Sequence, residues 1–429
     1  MQFLHCLATL GLLLTAPALA AIPPAEVGRA VADVRMALAR DGGKLWGVSL
    51  DGPILFVEAA TRQVVATDPD SASVLRADGT LYIGVLSSAI NVANTSLRWN
   101  GRLWSMVVWP LPADSLRARA LLIHELWHRV QGDLGLPVSG PSNSHLDTQE
   151  GRLWLELEWR ALARALEQPT AARKKAIADA LSFRAVRRKK FPGSAASESA
   201  LERHEGLAEY TGVRLATRSP AGAAALARAA IDDSGKLPTF VRSFAYVSGP
   251  AYGLLLDDAR PGWRRELGGG ADLGDLLRTA SRLPAPDSSA SAARAHAVPY
   301  GLDSLRTAEA ARERKRLQRL KELRVRFVDG PTLRIPLTSP KLSFDPLAVQ
   351  PLDTLGTIYG SLRITDRWGV LDAPEGGLIA ADWSAVTVPA PGATVRDTLR
   401  GEGWTLALRP EWELQEGANP GSMKLATKR

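Results

Sequence analysis

Cysteine is nearly absent from this 429-residue chain: Cys6 is the only one. That excludes a disulfide framework and, beyond position 6, thiol catalysis and thiolate metal sites. Histidine is almost as scarce, with six residues in all. Lys and Arg are missing from the N-terminus up to Arg29, so the apolar run Leu10–Leu14 has no basic segment ahead of it. The run is still followed by Ala18-Leu19-Ala20, an A-x-A-like cleavage site, and residues 1–20 read as a secretory signal peptide. Cys6 leaves with that segment, and a soluble product in the periplasm or outside the cell is expected. No later stretch is apolar enough to span a membrane. Acidic residues are the minority, 45 against 53 Lys and Arg, for a net charge of +8. The excess gathers in Arg184–Lys190 and Arg312–Arg326. In an exported protein such clusters suit an anionic envelope surface or an acidic substrate. Solvated helix faces are the plainer account of both. No nucleic-acid motif accompanies the charge, which excludes nucleic acid as a partner.

Against that scarcity, two of the six His fall in one pentapeptide, His124-Glu125-Leu126-Trp127-His128. On a helix, positions i and i+4 share a face, so both imidazoles can hold one zinc ion. Glu125 is then placed to take a proton from a water polarised by that ion. The flanks predict the helix. Asp114 or Ser115 can cap its start, Leu116, Ala120, Ile123, Trp127 and Val130 recur at helical spacing, and Gly132, Gly135 and Pro137 stop it. Residues 95–111 read as extended around the hairpin signal Asn100-Gly101.

A catalytic zinc commonly takes three protein ligands and keeps one position open. Carboxylates recur in Glu205-Gly206-Leu207-Ala208-Glu209-Tyr210, within a helical stretch from about Ala195 to Ala216. H-E-x-x-H followed by a helix carrying E-G-x-A-E-Y resembles the gluzincin metallopeptidases, which include thermolysin, the zinc aminopeptidases and bacterial collagenases. The resemblance implies Glu205 as the third zinc ligand and Glu209 as the carboxylate behind a ligand His. Positions 205 and 209 share a helix face, and such a carboxylate fixes the tautomer of a bound imidazole. The 77 residues from His128 to Glu205 exceed the few tens common in those relatives. They are expected to form two extra helices, Thr148–Gln168 and about Pro169–Lys190. Asp147 and Glu150 are rival ligands at shorter range, although a helix start accounts for both. Glu198 and Glu202, on the same face as Glu205, read as a solvated face or as partners of nearby Arg.

Downstream, Tyr246-Val247-Ser248-Gly249 before an apolar run resembles the segment that carries the transition-state Tyr in the aminopeptidase branch. That implies Tyr246 as the donor to a developing oxyanion, with Tyr252 next in line; packing of an aromatic ring explains either as well. His145 and His204 rank below them. The strand region Arg102–Trp109 carries no Glu to grip a substrate amino group, which argues against aminopeptidase action. As an edge strand it could hold a peptide by strand addition.

The expected fold is α+β. A zincin-like catalytic domain over 21–283 has a small N-terminal sheet and a mainly helical remainder. Its sheet includes a hairpin within Leu45–Asp68 turning at Asp51-Gly52, and a strand over Leu81–Leu86. A linker (Pro284–Pro299) and a charged helix (Asp303–Leu323) lead to a small antiparallel β domain over 324–429. There Asp329-Gly330 is expected to join one strand pair, and Trp368, Trp383, Trp404 and Trp412 to supply core. The expected activity is secreted zinc-dependent hydrolysis of a peptide or protein, with Glu125 as general base. The alternatives are a zinc-binding envelope protein without turnover, and an amidase acting on a non-peptide cell-wall substrate.

Overall fold

One helix, six short strands, ten further helices and a run of strands follow one another along the described chain. The computed structural model describes residues 22–136, 140–168, 170–345, 348–395, 398–417 and 420–428; the expected leader, 1–20, lies outside them. Helix α1 (Pro24–Asp41) precedes six strands: β1 (Ile54–Glu58), β2 (Gln63–Ala66), β3 (Arg76–Asp78), β4 (Leu81–Val85), β5 (Thr95–Trp99) and β6 (Arg102–Trp109). They form one sheet in the order β3-β4-β2-β1-β6-β5. Only β1 and β6 run parallel, with Ile54 opposite Ser105.

Alternation sorts the side chains of this sheet. Ile54, Phe56 and Val107 face the helices, whereas Leu55, Val57, Trp104 and Met106 face a smaller core with Leu75 and Leu86. The Asn100-Gly101 turn joins β5 to β6 with both residues at positive φ, as a two-residue hairpin requires. Two expectations change here. Asp51-Gly52 precedes β1 instead of turning the hairpin; the β1–β2 turn ends at Arg62, whose φ is 62°. Strand β6 is not an edge, because β1 and β5 flank it.

Eleven helices are described: α1, then α2 (Ser115–Val130), α3 (Gln149–Glu167), α4 (Thr170–Lys190), α5 (Ser194–Leu201), α6 (Leu207–Ala216), α7 (Pro220–Asp233), α8 (Phe244–Ala259), α9 (Leu273–Ala280), α10 (Ala290–Ala297) and α11 (Leu302–Arg324). Asp114 caps α2, accepting from Arg117 N at 2.8 Å. Thr148 caps α3 in the same way, through Gly151 N. The two helices expected between His128 and Glu205 are α3 and α4. A π turn, Glu202–Gly206, joins α5 to α6 in one helical run.

Helix α6 lies between α2 and α8 at two close crossings. A Cβ on Gly212 would stand 2.5 Å from Ala120 O, and one on Gly249 would stand 2.2 Å from Gly206 O. Only glycine permits either approach.

The basic cluster at the end of α4 is not a solvated face. Arg184 and Arg187 are buried and paired with Glu158, Glu198 and Glu202, and Arg188 and Asp272 close the network. Those guanidiniums sit on the inward side of a helix whose partners are acidic, so the charge is neutralised locally instead of by water. The expected linker contains α10, whose Ala293 and Ala297 are buried.

Beyond α11, Val325–Asp329 is a π turn, and Asp329-Gly330 ends it without forming a hairpin. A seven-stranded and a six-stranded sheet follow, around Leu333, Ile364, Trp368, Leu371, Val386, Trp404 and Leu406. They are antiparallel except that Met423–Thr427 runs parallel to Thr332–Pro336. Trp383 is 50% exposed in a turn with φ 58° and supplies no core, and Trp412 is only partly buried. The class is thus α+β. Among the described residues no helix is long and apolar enough to cross a membrane.

Candidate metal centre

Helix α2 turns its apolar face inward, and His124 and Glu125 go with it, each 3% exposed. The spacing predicted from the pentapeptide holds: His124 Nε2 and His128 Nε2 stand 3.0 Å apart. From the neighbouring π turn, Glu205 Oε2 lies 3.6 Å from His124 Nε2 and 3.4 Å from His128 Nε2. Donors set tetrahedrally about 2.05 Å from one centre are separated by roughly 3.3 Å. The three separations bracket that value, so these atoms can share one small cation.

The rear of each imidazole is occupied. His124 Nδ1 faces Glu209 Oε2 at 2.8 Å, and His128 Nδ1 faces Gln131 Oε1 at 2.8 Å. Both acceptors call for a proton on Nδ1, which leaves a lone pair on each Nε2. Two lone pairs 3.0 Å apart need a cation or a proton between them. The electrostatics say the same. Burial disfavours a charge on His124, yet hydrogen bonding to Glu205 and Glu209 outweighs it and pushes the imidazole up to about 10. Burial likewise works against the Glu205 carboxylate, but its bonds to the two imidazoles hold it well below the usual carboxylate range. The site thus favours a positive charge at this point, and with no ion that charge is a proton on His124.

Two further groups hold Glu205. The Tyr246 hydroxyl donates to Oε2 at 2.8 Å, and Arg242 Nη2 donates to Oε1 at 3.2 Å. The Tyr246 ring stacks on His124, with centroids 5.5 Å apart and planes within 5°. Glu125 is different. Its Oε2 is buried and has no hydrogen-bond partner. Burial pushes its carboxyl up, opposed by the nearby His124 and His128.

The structure therefore gathers His124, Glu125, His128, Glu205, Glu209 and Tyr246 in one place. His204 also lies beside it, 5.0 Å ring to ring from His128. Other candidates lie elsewhere. Tyr252 is buried against Glu158, to which its hydroxyl donates at 2.7 Å. His145 pairs with Glu198, and Glu202 with Arg184. Asp147 accepts from Thr239 Oγ1 and Phe240 N. Glu150 accepts from Trp154 Nε1 and pairs with Lys190.

Two residues of the site were not anticipated from sequence. Gln131 could have been noticed, three positions after His128 on the same helical face. Arg242 carries no local signal beyond its place four residues before Tyr246. No family model, no curated protein and no solved structure matches the chain.

Proposed function

We propose that the chain is an exported zinc-dependent hydrolase of peptide bonds, with a zincin-like core of gluzincin type. One observation carries the reading: three donors on two helices converge on a point, and a buried carboxyl oxygen of Glu125 stands beside them with nothing bonded to it. A purely structural site has no use for that fourth group. His124, His128 and Glu205 would hold the ion. When bound, zinc supplies Lewis acidity, lowering the pKa of water to near 7 and polarising a carbonyl oxygen.

The chain's own residues do the rest. Glu125 accepts the proton of the attacking water at Oε2 and passes it to the leaving amine. Its burial raises its proton affinity, against the nearby His124 and His128. Glu209 and Gln131 fix both imidazoles in the tautomer that presents Nε2 to the ion. Tyr246, stacked on His124, donates its hydroxyl to Glu205 Oε2, and turning that O–H from Glu205 to substrate would make it the neutral donor to a developing oxyanion.

The test combines metal analysis with casein hydrolysis, after reconstitution at neutral pH. Wild type is expected to carry about one zinc per chain, and His124→Ala or His128→Ala to lose it. Glu125→Gln is expected to keep zinc and lose hydrolysis by several orders of magnitude. A wild-type chain without zinc overturns the reading. Zinc without hydrolysis of any peptide leaves the two alternatives, an envelope protein that only binds metal and an amidase on a non-peptide substrate, which substrate profiling separates.

A further inference from the structure

One edge strand of the C-terminal β domain, Lys341–Phe344, faces the rest of the chain beside the metal centre. At one end, Lys341 O accepts from Asn91 Nδ2 at 2.6 Å, and Ser343 Oγ donates to Val92 O at 2.7 Å. The adjacent strand, Leu362–Asp366, adds Thr365 Oγ1 to Asn91 Oδ1 and Arg363 Nη2 to Ser88 O. Residues 88–92 belong to the connection between β4 and β5, so these bonds hold the N-terminal sheet. The other end of the strand reaches the helical side. The Arg242 guanidinium lies over the Phe344 ring, 5.9 Å from its centroid, and Tyr359 braces that ring edge-on at 4.8 Å. Val241, one residue earlier, is 1% exposed and packs in the β-domain core. Arg242 itself donates to Glu205 Oε1.

We propose that the β domain is a clamp on the metal centre: strand Lys341–Phe344 holds Arg242 against Glu205 and so sets how tightly the third donor serves a metal ion. The proposal rests on the zinc reading given above. Phe344 and Arg242 are positioning residues and supply no donor. A desolvated guanidinium keeps its place through every face it can use, here an aromatic ring on one side and a carboxylate edge on the other. Without the ring, the guanidinium regains rotamer freedom, and the carboxylate it steadies can turn away from the imidazoles. Partners one step behind a ligand are where metal affinity is tuned.

The experiment measures zinc affinity of the full chain by competition with a chromophoric chelator, beside thermal unfolding of the metal-free form. Arg242→Ala is expected to weaken zinc roughly 10–100-fold, and Phe344→Ala roughly 3–10-fold. The double variant is expected to match Arg242→Ala alone, because Phe344 acts through Arg242. Leu406→Ala, in the same β sheet but three strands from Phe344, should lower Tm and leave zinc affinity unchanged. Wild-type affinity in Phe344→Ala overturns the clamp, as do additive losses in the double variant or an equal loss in Leu406→Ala. A wild-type chain that binds no zinc overturns the metal reading itself, and the clamp with it.

Discussion

Glu205 and Glu209 sit four residues apart on one helical run, yet their oxygens meet His124 from opposite sides of the ring. Glu205 Oε2 faces Nε2 and belongs with the donors, whereas Glu209 Oε2 faces Nδ1 and cannot reach the same point. Removing each should therefore cost differently. Glu205→Ala is expected to abolish zinc binding at micromolar metal, because two imidazoles alone remain. Glu209→Ala should weaken it roughly 10–100-fold, as loss of an orienting partner does. Equilibrium dialysis of both variants checks this, and equal losses would put both carboxylates in one role. Asp147→Ala should leave zinc in place, since its oxygens are committed to Thr239 and Phe240.

At the scale of elements, the site depends on how closely three helices cross. Gly249 of α8 meets the backbone of Gly206 at the π turn, one residue from Glu205. Gly249→Ala must push α8 outward, and Tyr246 and Arg242 travel with α8. Overpacking of this kind costs about 1–3 kcal/mol. The expected outcome is a lowered Tm together with weakened zinc, whereas Ala substitution at the uncrowded Gly235 should change neither.

These crossings also mark how far the sequence could be read. Helix α2, its Asp114 cap, the Asn100-Gly101 hairpin and the α3–α4 helix pair follow from spacing and turn chemistry, which are local. The two imidazoles follow from the 3.6-residue period, whereas Glu205 and Glu209 are singled out by a family resemblance that six residues carry. The role of Arg242 does not, because it depends on a β strand a hundred residues downstream. The Arg184 and Arg187 cluster misleads for a related reason. A run of cations looks solvated until the carboxylates of other helices close over it. Likewise Asp51-Gly52 and Asp329-Gly330 carry hairpin chemistry but lie beside no strand pair that could use it.

For the whole molecule, the charged helix α11 is joined to the helical core by buried carboxylates. Glu309 accepts from Arg152 Nε, and Glu156 lies close enough to feel its charge. Burial and then Glu309 push Glu156 up to about 7, while Arg312 and Arg160 oppose them. A carboxyl raised in the folded state contributes stability that is complete below its unfolded value of 4.5 and is lost as pH rises through about 7. Glu156→Gln keeps the neutral shape and removes the titration. Its Tm relative to wild type should therefore improve from about pH 4.5 to about pH 7 and level off above that. A difference that stays flat across that range would mean Glu156 ionises normally in the fold.

The α3–α4 excursion between the two halves of the site has a consequence in time. While the chain is still folding, α2 offers a metal only two imidazoles, and the carboxylate that completes the set arrives after a long detour has packed. On the zinc reading, an ion finds its full set of three donors only once the helices have assembled. Its contribution then falls on the finished molecule, through mass action on the native state and a slower escape from it. On the zinc reading, the expected order is fold first and metal second.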